Sequence, residues 1–97
     1  MEFKDVNELK ETLNEMGYES VVVLENPSYL KAIIGISDNG ALCYSYEKMI
    51  HCLMEEDKMT YEDAMEFIDY NTIRALPYAS SMGEKPIVIY DDFFKNN

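Results

Sequence analysis

The chain has 97 residues, a common length for a single domain with one hydrophobic core. Its hydrophobic content of 47% is ordinary for a globular protein and excludes general disorder. The 19 acidic and 8 basic residues give a net charge of −11. Because phosphate binding requires an excess of Lys and Arg, free nucleic acid is excluded as a partner. We therefore expect one acidic domain over 1–97.

Targeting segments and disulfides are not predicted. No apolar run approaches the roughly 20 residues that a membrane-spanning helix needs. Residues 1–5 lack the basic and apolar regions of a signal peptide. Cys43 and Cys52 have apolar neighbours and no CxxC spacing, so we expect both to be reduced and buried. These observations favour a cytoplasmic protein.

The first part of the chain predicts a helix and then a strand. Apolar residues recur at helical spacing at Val6, Leu9, Leu13 and Met16, and Gly17 fits a helix end. The β-branched run 21–24 is typical of a strand buried on both sides, and residues 26–28 break it.

A β-hairpin follows. Residues 29–37 predict a strand, with Leu30, Ala32, Ile34 and Ile36 on one face. Asp38-Asn39-Gly40 predicts a tight turn, since Asn and Gly tolerate positive φ angles. Residues 41–46 then return antiparallel.

Two helices and a last strand complete the pattern. The first helix has an apolar stripe of Tyr46, Met49, Ile50, Leu53 and Met54. Thr60 predicts an N-cap with Asp63 three residues on, before a second stripe of Tyr61, Ala64, Met65 and Ile68 that Pro77 stops. We expect these two helices to pair antiparallel. Residues 80–85 predict a loop, 86–90 a strand, and the tail from 91 frays after Phe93 or Phe94.

The predicted order is therefore α-β-β-β-α-α-β. This order indicates an α+β fold with a mainly antiparallel sheet of about four strands and helices packed on one face.

A polar cluster ends the last helix at Asn71, Thr72, Arg74 and Tyr78. Arg74 is the single arginine, and a guanidinium matches a carboxylate bidentately, so we expect it to form a carboxylate pair. Asn71 is expected to cap carbonyls at the helix end. The alternative interpretation is a recognition site at this helix end.

Catalytic, metal and cofactor sites are not predicted. A site built from Cys43, His51 and Cys52 lacks a fourth ligand at recognisable spacing. His51 and Cys52 are helical neighbours that point about 100° apart, so they do not form a catalytic pair. We expect His51 to be a partly exposed helix residue. The loop with Ser80, Ser81 and Gly83 does not match a phosphate-binding loop, and we expect no enzyme.

The excess charge lies in two segments. Residues 1–25 carry seven acids and two lysines, and residues 47–69 carry eight acids and two lysines. In the second segment Glu62, Glu66 and Asp69 share one helix face, and such stripes can imitate the phosphates of duplex DNA. The candidate contact residues are Glu55, Glu56, Asp57, Glu62, Glu66 and Asp69. Solubility alone is the alternative explanation of these acids.

Aromatic residues also favour a protein partner. Eight tyrosines and four phenylalanines exceed what a small core buries comfortably. Tyr is enriched at interfaces, so the candidates are Tyr44, Tyr70, Tyr78 and Tyr90. A homodimer is an equally good use of these side chains.

Residues 66–78 end in the motif Asn71-Thr72-Ile73-Arg74-Ala75-Leu76-Pro77-Tyr78. A Gly-containing loop and the predicted strand 86–90 follow this motif. With the hairpin from residue 33 and the helix that follows it, this pattern resembles a family of small phage and prophage proteins of Gram-positive bacteria. The resemblance covers roughly residues 30–90. It implies a phage context and assigns no role to any residue.

The resemblance, the small size and the localised charge together predict a small phage-encoded binding protein in the bacterial cytoplasm. Its expected partner is a basic nucleic-acid-binding or nuclease component of the host, as for an anti-CRISPR or related anti-defence protein. One alternative is a self-associating accessory protein. Another is a nucleotide binder that uses Asn71, Arg74 and Tyr78.

Overall fold

The computed structural model describes residues 3–78 and 83–91 and has the predicted α+β class. Its helices and strands are α1 (Val6–Glu15), β1 (Ile33–Ile36), β2 (Leu42–Ser45), α2 (Tyr46–Glu56), α3 (Tyr61–Phe67) and β3 (Ile87–Ile89). α3 continues into a π-helical segment, Ile68–Ile73. Short 3₁₀ turns occupy Leu30–Ala32 and Leu76–Tyr78.

The described residues form one three-stranded sheet in the order β1-β2-β3. β1 is antiparallel to β2, but β3 is parallel to it. The described residues therefore do not confirm the predicted, mainly antiparallel sheet of about four strands, because they form three strands in a mixed sheet. α2 and α3 lie between β2 and β3, and a connection of that length lets the chain return to run in the same direction.

The predicted hairpin is confirmed. The Ser37 amide donates to the Ala41 carbonyl at 2.8 Å, and Gly40 has a φ of +88°. Because a φ of this sign strains residues with a Cβ, glycine suits this position of the turn.

The strand predicted at Val21–Leu24 is wrong. This segment forms no hydrogen-bonded ladder with a described strand, although its side chains are half-buried against the core. Its amide at Leu24 donates instead to the Tyr44 hydroxyl at 3.1 Å. The segment packs against the core through Val21, Val23 and Leu24. The next predicted strand begins later than expected, at Ile33, after the 3₁₀ turn.

α1 has the predicted bounds. The Asp5 side chain accepts a hydrogen bond from the Glu8 amide at 2.9 Å, which caps the first turn. Gly17 has a φ of +92° beyond the last turn, as predicted for a helix end. Leu9 and Leu13 are buried, whereas Met16, expected to face inward, is 54% exposed.

α2 is the central helix of the core. Tyr46, Met49, Ile50 and Leu53 are at most 4% exposed, which confirms the predicted stripe, and Met54 packs at its margin. Its N-terminus is capped twice. Ser45 Oγ accepts from the Lys48 amide at 3.1 Å, and Asp91 Oδ1 accepts from the Glu47 amide at 3.2 Å. Ser45 Oγ also donates to Asp91 Oδ2, so the second residue after β3 is tied to the start of α2.

The two faces of the sheet differ. Strand register places Leu42, Tyr44 and Val88 on one face, and these side chains lie in or against the core. Cys43, Ile87 and Ile89 alternate to the other face, where the two isoleucines are more than one-third exposed. The burial therefore places the core on one face of the sheet.

α3 begins as predicted, because the Thr60 side chain accepts from the Asp63 amide at 3.1 Å. Ala64 and Ile68 are fully buried, but Tyr61 and Met65 are each 36% exposed, so half of the predicted stripe is wrong. Residues 80–82 of the predicted loop at 80–85, and the predicted fraying beyond Phe93, lie outside the described residues. Within the described ranges, no helix has the length and apolar character to cross a membrane.

Candidate functional site

All six acidic residues that the sequence singles out on α2 and α3 are exposed. They fall into two groups. The first group lies on α3 and its π-helical continuation and consists of Glu62, Glu66 and Asp69. The second lies at the C-terminal end of α2 and consists of Glu55, Glu56 and Asp57.

The first group lines a groove together with two exposed aromatic or apolar side chains. The groove is formed by Glu62, Met65, Glu66, Asp69 and Tyr70, which we call the α3 surface. Tyr70 is 62% exposed and Met65 is 36% exposed. Among residues 3–78 and 83–91, no lysine or arginine forms a salt bridge with these three carboxylates. The α3 surface therefore combines negative charge, with no salt bridge to a described residue, with accessible apolar area.

The second group lies on a different part of the surface. None of its residues lines the groove of the α3 surface or the neighbouring groove beside Asn71. Glu55 Oε2 lies 3.8 Å from Lys31 Nζ, and both side chains are about two-thirds exposed or more. An ion pair this accessible contributes about 0–1 kcal/mol. Burial raises the pKa of the Cys52 thiol, and the charges of Glu56 and Glu55 raise it further.

Asp69 also has a structural contact. Its Oδ1 accepts a hydrogen bond from the Tyr46 hydroxyl at 2.8 Å. A second hydrogen bond has its donor on α3 and its acceptor on α2, because the Tyr61 hydroxyl donates to Glu47 Oε2 at 2.9 Å. These two bonds join α2 to α3, so Asp69 holds the helix pair together as well as contributing charge to the α3 surface.

His51 is a half-exposed residue of α2, as predicted. Its Nε2 lies 3.2 Å from Glu47 Oε1, and its side chain is 53% exposed. Cys43 and Cys52 are both free; Cys52 is buried as predicted, but Cys43 is only partly buried, so its predicted burial is wrong. In the part of the chain that the structure describes, no group of three or more His, Cys, Asp or Glu residues is placed to hold a metal ion.

The four residues of the polar cluster after α3 differ in their burial and contacts. Thr72 is 8% exposed, and its Oγ1 lies 2.9 Å from the buried Tyr29 hydroxyl. Burial raises the pKa of Tyr29, although the hydrogen bond to Thr72 acts in the opposite direction. Asn71 Nδ2 donates to the Phe67 carbonyl at 3.2 Å, so its side chain bonds a helix carbonyl four residues earlier.

Arg74 does not form the predicted carboxylate pair with any described residue. Its guanidinium carbon lies 5.6 Å from the centroid of the Tyr70 ring, a cation–π contact. The two residues are four apart, and this spacing places side chains on the same helix face. The spacing in the sequence therefore indicates Tyr70 as the partner of Arg74, in place of the carboxylate that we expected.

The four tyrosines proposed for an interface differ in exposure. Tyr78 is 89% exposed and Tyr90 is 48% exposed, with its ring 4.7 Å from that of Tyr46. Tyr44 is fully buried, so its prediction as an interface residue is wrong. Burial raises the pKa of Tyr44 to about 12, although the hydrogen bond from the Leu24 amide opposes this effect. Tyr70 and Tyr78 are the most accessible of the four.

The sequence did not identify two residues, Tyr29 and Asp91, whose hydrogen bonds join distant parts of the chain. Tyr29 bonds to Thr72 across 43 positions, and Asp91 bonds to Ser45 across 46. Neither pairing has a local spacing, so no sequence signal short of the tertiary fold could have found it.

Comparison with protein-family models, with curated proteins and with solved structures finds no match to this chain. The resemblance to phage proteins therefore stays a prediction.

Proposed function

We propose that this protein is a small phage-encoded inhibitor that binds a basic, nucleic-acid-binding host protein. An anti-CRISPR or related anti-defence protein has a target of this kind. The proposed mechanism is occlusion of the nucleic-acid site by the α3 surface, either directly or by imitating DNA.

The observation that carries the proposal is the composition of the α3 surface. Glu62, Glu66 and Asp69 line one groove with Tyr70 and Met65. Carboxylates attract a basic protein over long range and raise its association rate. An exposed tyrosine supplies the contact area at which binding energy concentrates. Solubility alone requires the charges but not the adjacent aromatic and apolar side chains.

The charge spacing supports the mimicry mechanism. From Glu62 to Asp69 the chain carries four acids, including Asp63. At a rise of about 1.5 Å per residue, these acids extend over about 10 Å, or one charge about every 3 Å. A single DNA strand carries one charge about every 3.4 Å. The linear charge density of this helix thus approaches that of one strand.

Affinity capture from host lysate tests the proposal. Tagged wild-type protein should retain a basic nucleic-acid-binding protein at low salt and release it at high salt, because the contacts are ionic. The Glu62→Gln/Glu66→Gln variant should retain much less of it. A matched control, Glu11→Gln/Glu19→Gln, removes the same charge from exposed positions elsewhere and should bind as the wild type does.

Asp69 is left unchanged in these variants, because its bond to Tyr46 would confound binding with stability. DNA added to the captured complex should displace the protein if both occupy one site. Unchanged capture and unchanged salt dependence in the α3 variant would contradict the proposal.

Self-association is the second candidate, because Tyr70 and Tyr78 are both more than half exposed. Sedimentation that shows only monomer at high micromolar concentration would remove it. The nucleotide alternative has less support. The groove beside Asn71 is also lined by Asp63 and Glu66, which would repel phosphate.

A further inference from the structure

The hairpin turn between β1 and β2 contains the dipeptide Asn39-Gly40, in which Asn39 is exposed. An asparagine side chain deamidates without an enzyme when the next backbone nitrogen reaches its side-chain carbonyl carbon. A following glycine favours this approach because it has no Cβ and restricts the backbone least. No other asparagine of the sequence precedes a glycine. This reactivity is therefore concentrated at residue 39.

Three hydrogen bonds restrain the reacting groups in the folded turn. The Gly40 amide, whose nitrogen is the attacking atom, donates to the Ser37 carbonyl at 3.0 Å. Asn39 Oδ1 accepts from the Ser37 hydroxyl. Asn39 Nδ2 donates to Glu84 Oε2 at 3.5 Å. The attacking nitrogen and both polar atoms of the side chain are thus engaged with other groups, and the reaction requires the turn to open.

We propose that Asn39 is a site of spontaneous deamidation, and that the folded turn and Glu84 hold it in its amide form. In the reaction the Gly40 nitrogen gives its proton to hydroxide and forms a bond to Asn39 Cγ. The Cγ–Nδ2 bond breaks, and Nδ2 takes a proton from water and leaves as ammonia. Solvent water then opens the cyclic succinimide on one side or the other. The products are aspartate and isoaspartate, and in isoaspartate the backbone passes through Cγ.

Deamidation changes the contact between the turn and the residues that lead into β3. The amide of Asn39 donates to the Glu84 carboxylate, whereas an ionised aspartate has no donor and repels that carboxylate. Isoaspartate also lengthens the backbone of a turn that the Ser37 amide closes by donating to the Ala41 carbonyl. The modification therefore adds a negative charge and loosens the attachment of β3 to the hairpin.

Incubation of the full-length protein at mildly alkaline pH tests the site, with one sample folded in buffer and one unfolded in guanidinium chloride. Anion exchange measures the new charge, and peptide mass spectrometry locates it. We expect the charge at Asn39 in both samples, with a rate about tenfold lower in the folded protein because the reaction waits for local opening. The Asn39→Gln variant should lack this product. None of these residues belongs to the α3 surface, so the result does not depend on the proposed function.

Variants of Glu84 test its part in the restraint. Glu84→Ala should raise the rate in the folded protein about threefold, since one hydrogen bond is lost. Glu84→Gln keeps an acceptor oxygen for Asn39 Nδ2 and should raise the rate less. The matched control Glu11→Ala removes a charge from another exposed position and should react as the wild type does. All four chains should react at one rate when unfolded.

Hydrogen exchange of the β3 amides measures the structural consequence. Asn39→Asp places the carboxylate of the product in the turn, so exchange at residues 87–89 should become faster. Asn39→Gln keeps an amide and should exchange as the wild type does.

Four results would each overturn the inference. The first is an equal rate in folded and unfolded protein, and the second is an unchanged rate in folded Glu84→Ala. The third is new charge at other asparagines and none at Asn39. The fourth is unchanged exchange of β3 in Asn39→Asp.

Discussion

The buried bond between Tyr29 and Thr72 offers the sharpest test of whether the Asn71–Tyr78 motif stabilises the fold. The two hydroxyls are 2.9 Å apart, and the residues are 2% and 8% exposed. Tyr29→Phe leaves the Thr72 hydroxyl buried without this partner, and a loss of that kind costs about 1–3 kcal/mol. The Tyr29→Phe/Thr72→Val variant removes both polar groups. It should therefore cost at least about 1 kcal/mol less than the sum of the single changes.

Urea unfolding followed by circular dichroism measures these free energies, and a loss of 2 kcal/mol should lower Tm by about 8–16 °C for a domain of this size. Tyr78→Phe is the matched control, because its hydroxyl is on a side chain that is 89% exposed. This control should change stability by less than about 0.5 kcal/mol. Additive single costs, or a Tyr29→Phe cost equal to that of Tyr78→Phe, would refute the structural role of Thr72.

Three further predictions concern pH and the helix pair. Because burial raises the pKa of Tyr44 to about 12, the stability that it contributes is present below the ordinary tyrosine pKa of about 10 and is lost as the pH rises towards 12. Urea unfolding at pH 9 and pH 11 should therefore show a smaller loss for Tyr44→Phe than for the wild type. Asp91→Ala should cost about 1 kcal/mol at pH 7 through loss of a helix cap. Burial acts to raise the pKa of Asp91, but hydrogen bonds from Ser45 and the Glu47 amide outweigh it and lower this pKa. The cost should thus disappear as the pH falls below the ordinary carboxyl range, and an unchanged cost at pH 2 would contradict this. Finally, thermal unfolding should show a lower Tm for Asp69→Ala and a Tm within about 2 °C of the wild type for Glu66→Ala, since only Asp69 bonds to Tyr46.

Elements with local causes were predictable from the sequence. The hairpin turn depends on Asp38 to Gly40, α2 on an apolar stripe of period 3.6, and α3 on its Thr60 cap. Each signal lies within a few residues of the structure that it determines. The exposure of the six acidic residues is likewise a local consequence of helical periodicity.

Elements with distant causes were not predictable. Val21 to Leu24 has the composition of a strand, but the tertiary fold places it against the core through its side chains, with its Leu24 amide bonded to the distant Tyr44 hydroxyl. The direction of β3 depends on how far α2 and α3 carry the chain before it returns. An apolar cleft beside α1 likewise depends on where the helix rests against β1. Arg74 is the exception, because its partner Tyr70 lies only four residues before it, and the prediction of an acid came from composition alone.

The parallel pairing of β3 with β2 also sets the order in which the chain can assemble. β1 and β2 are joined by a short turn and pair with each other locally. Residue 87, by contrast, pairs with residue 43, and the chain of both helices lies between them. Contacts so distant in sequence form late, because the entropy of closing the loop is lost before they give any stabilisation. During synthesis on the ribosome, β2 therefore has unpaired backbone groups along one side until residues 87–89 emerge. A stop codon before residue 87 would do more than shorten the protein, because it would leave the central strand open to pairing with another chain.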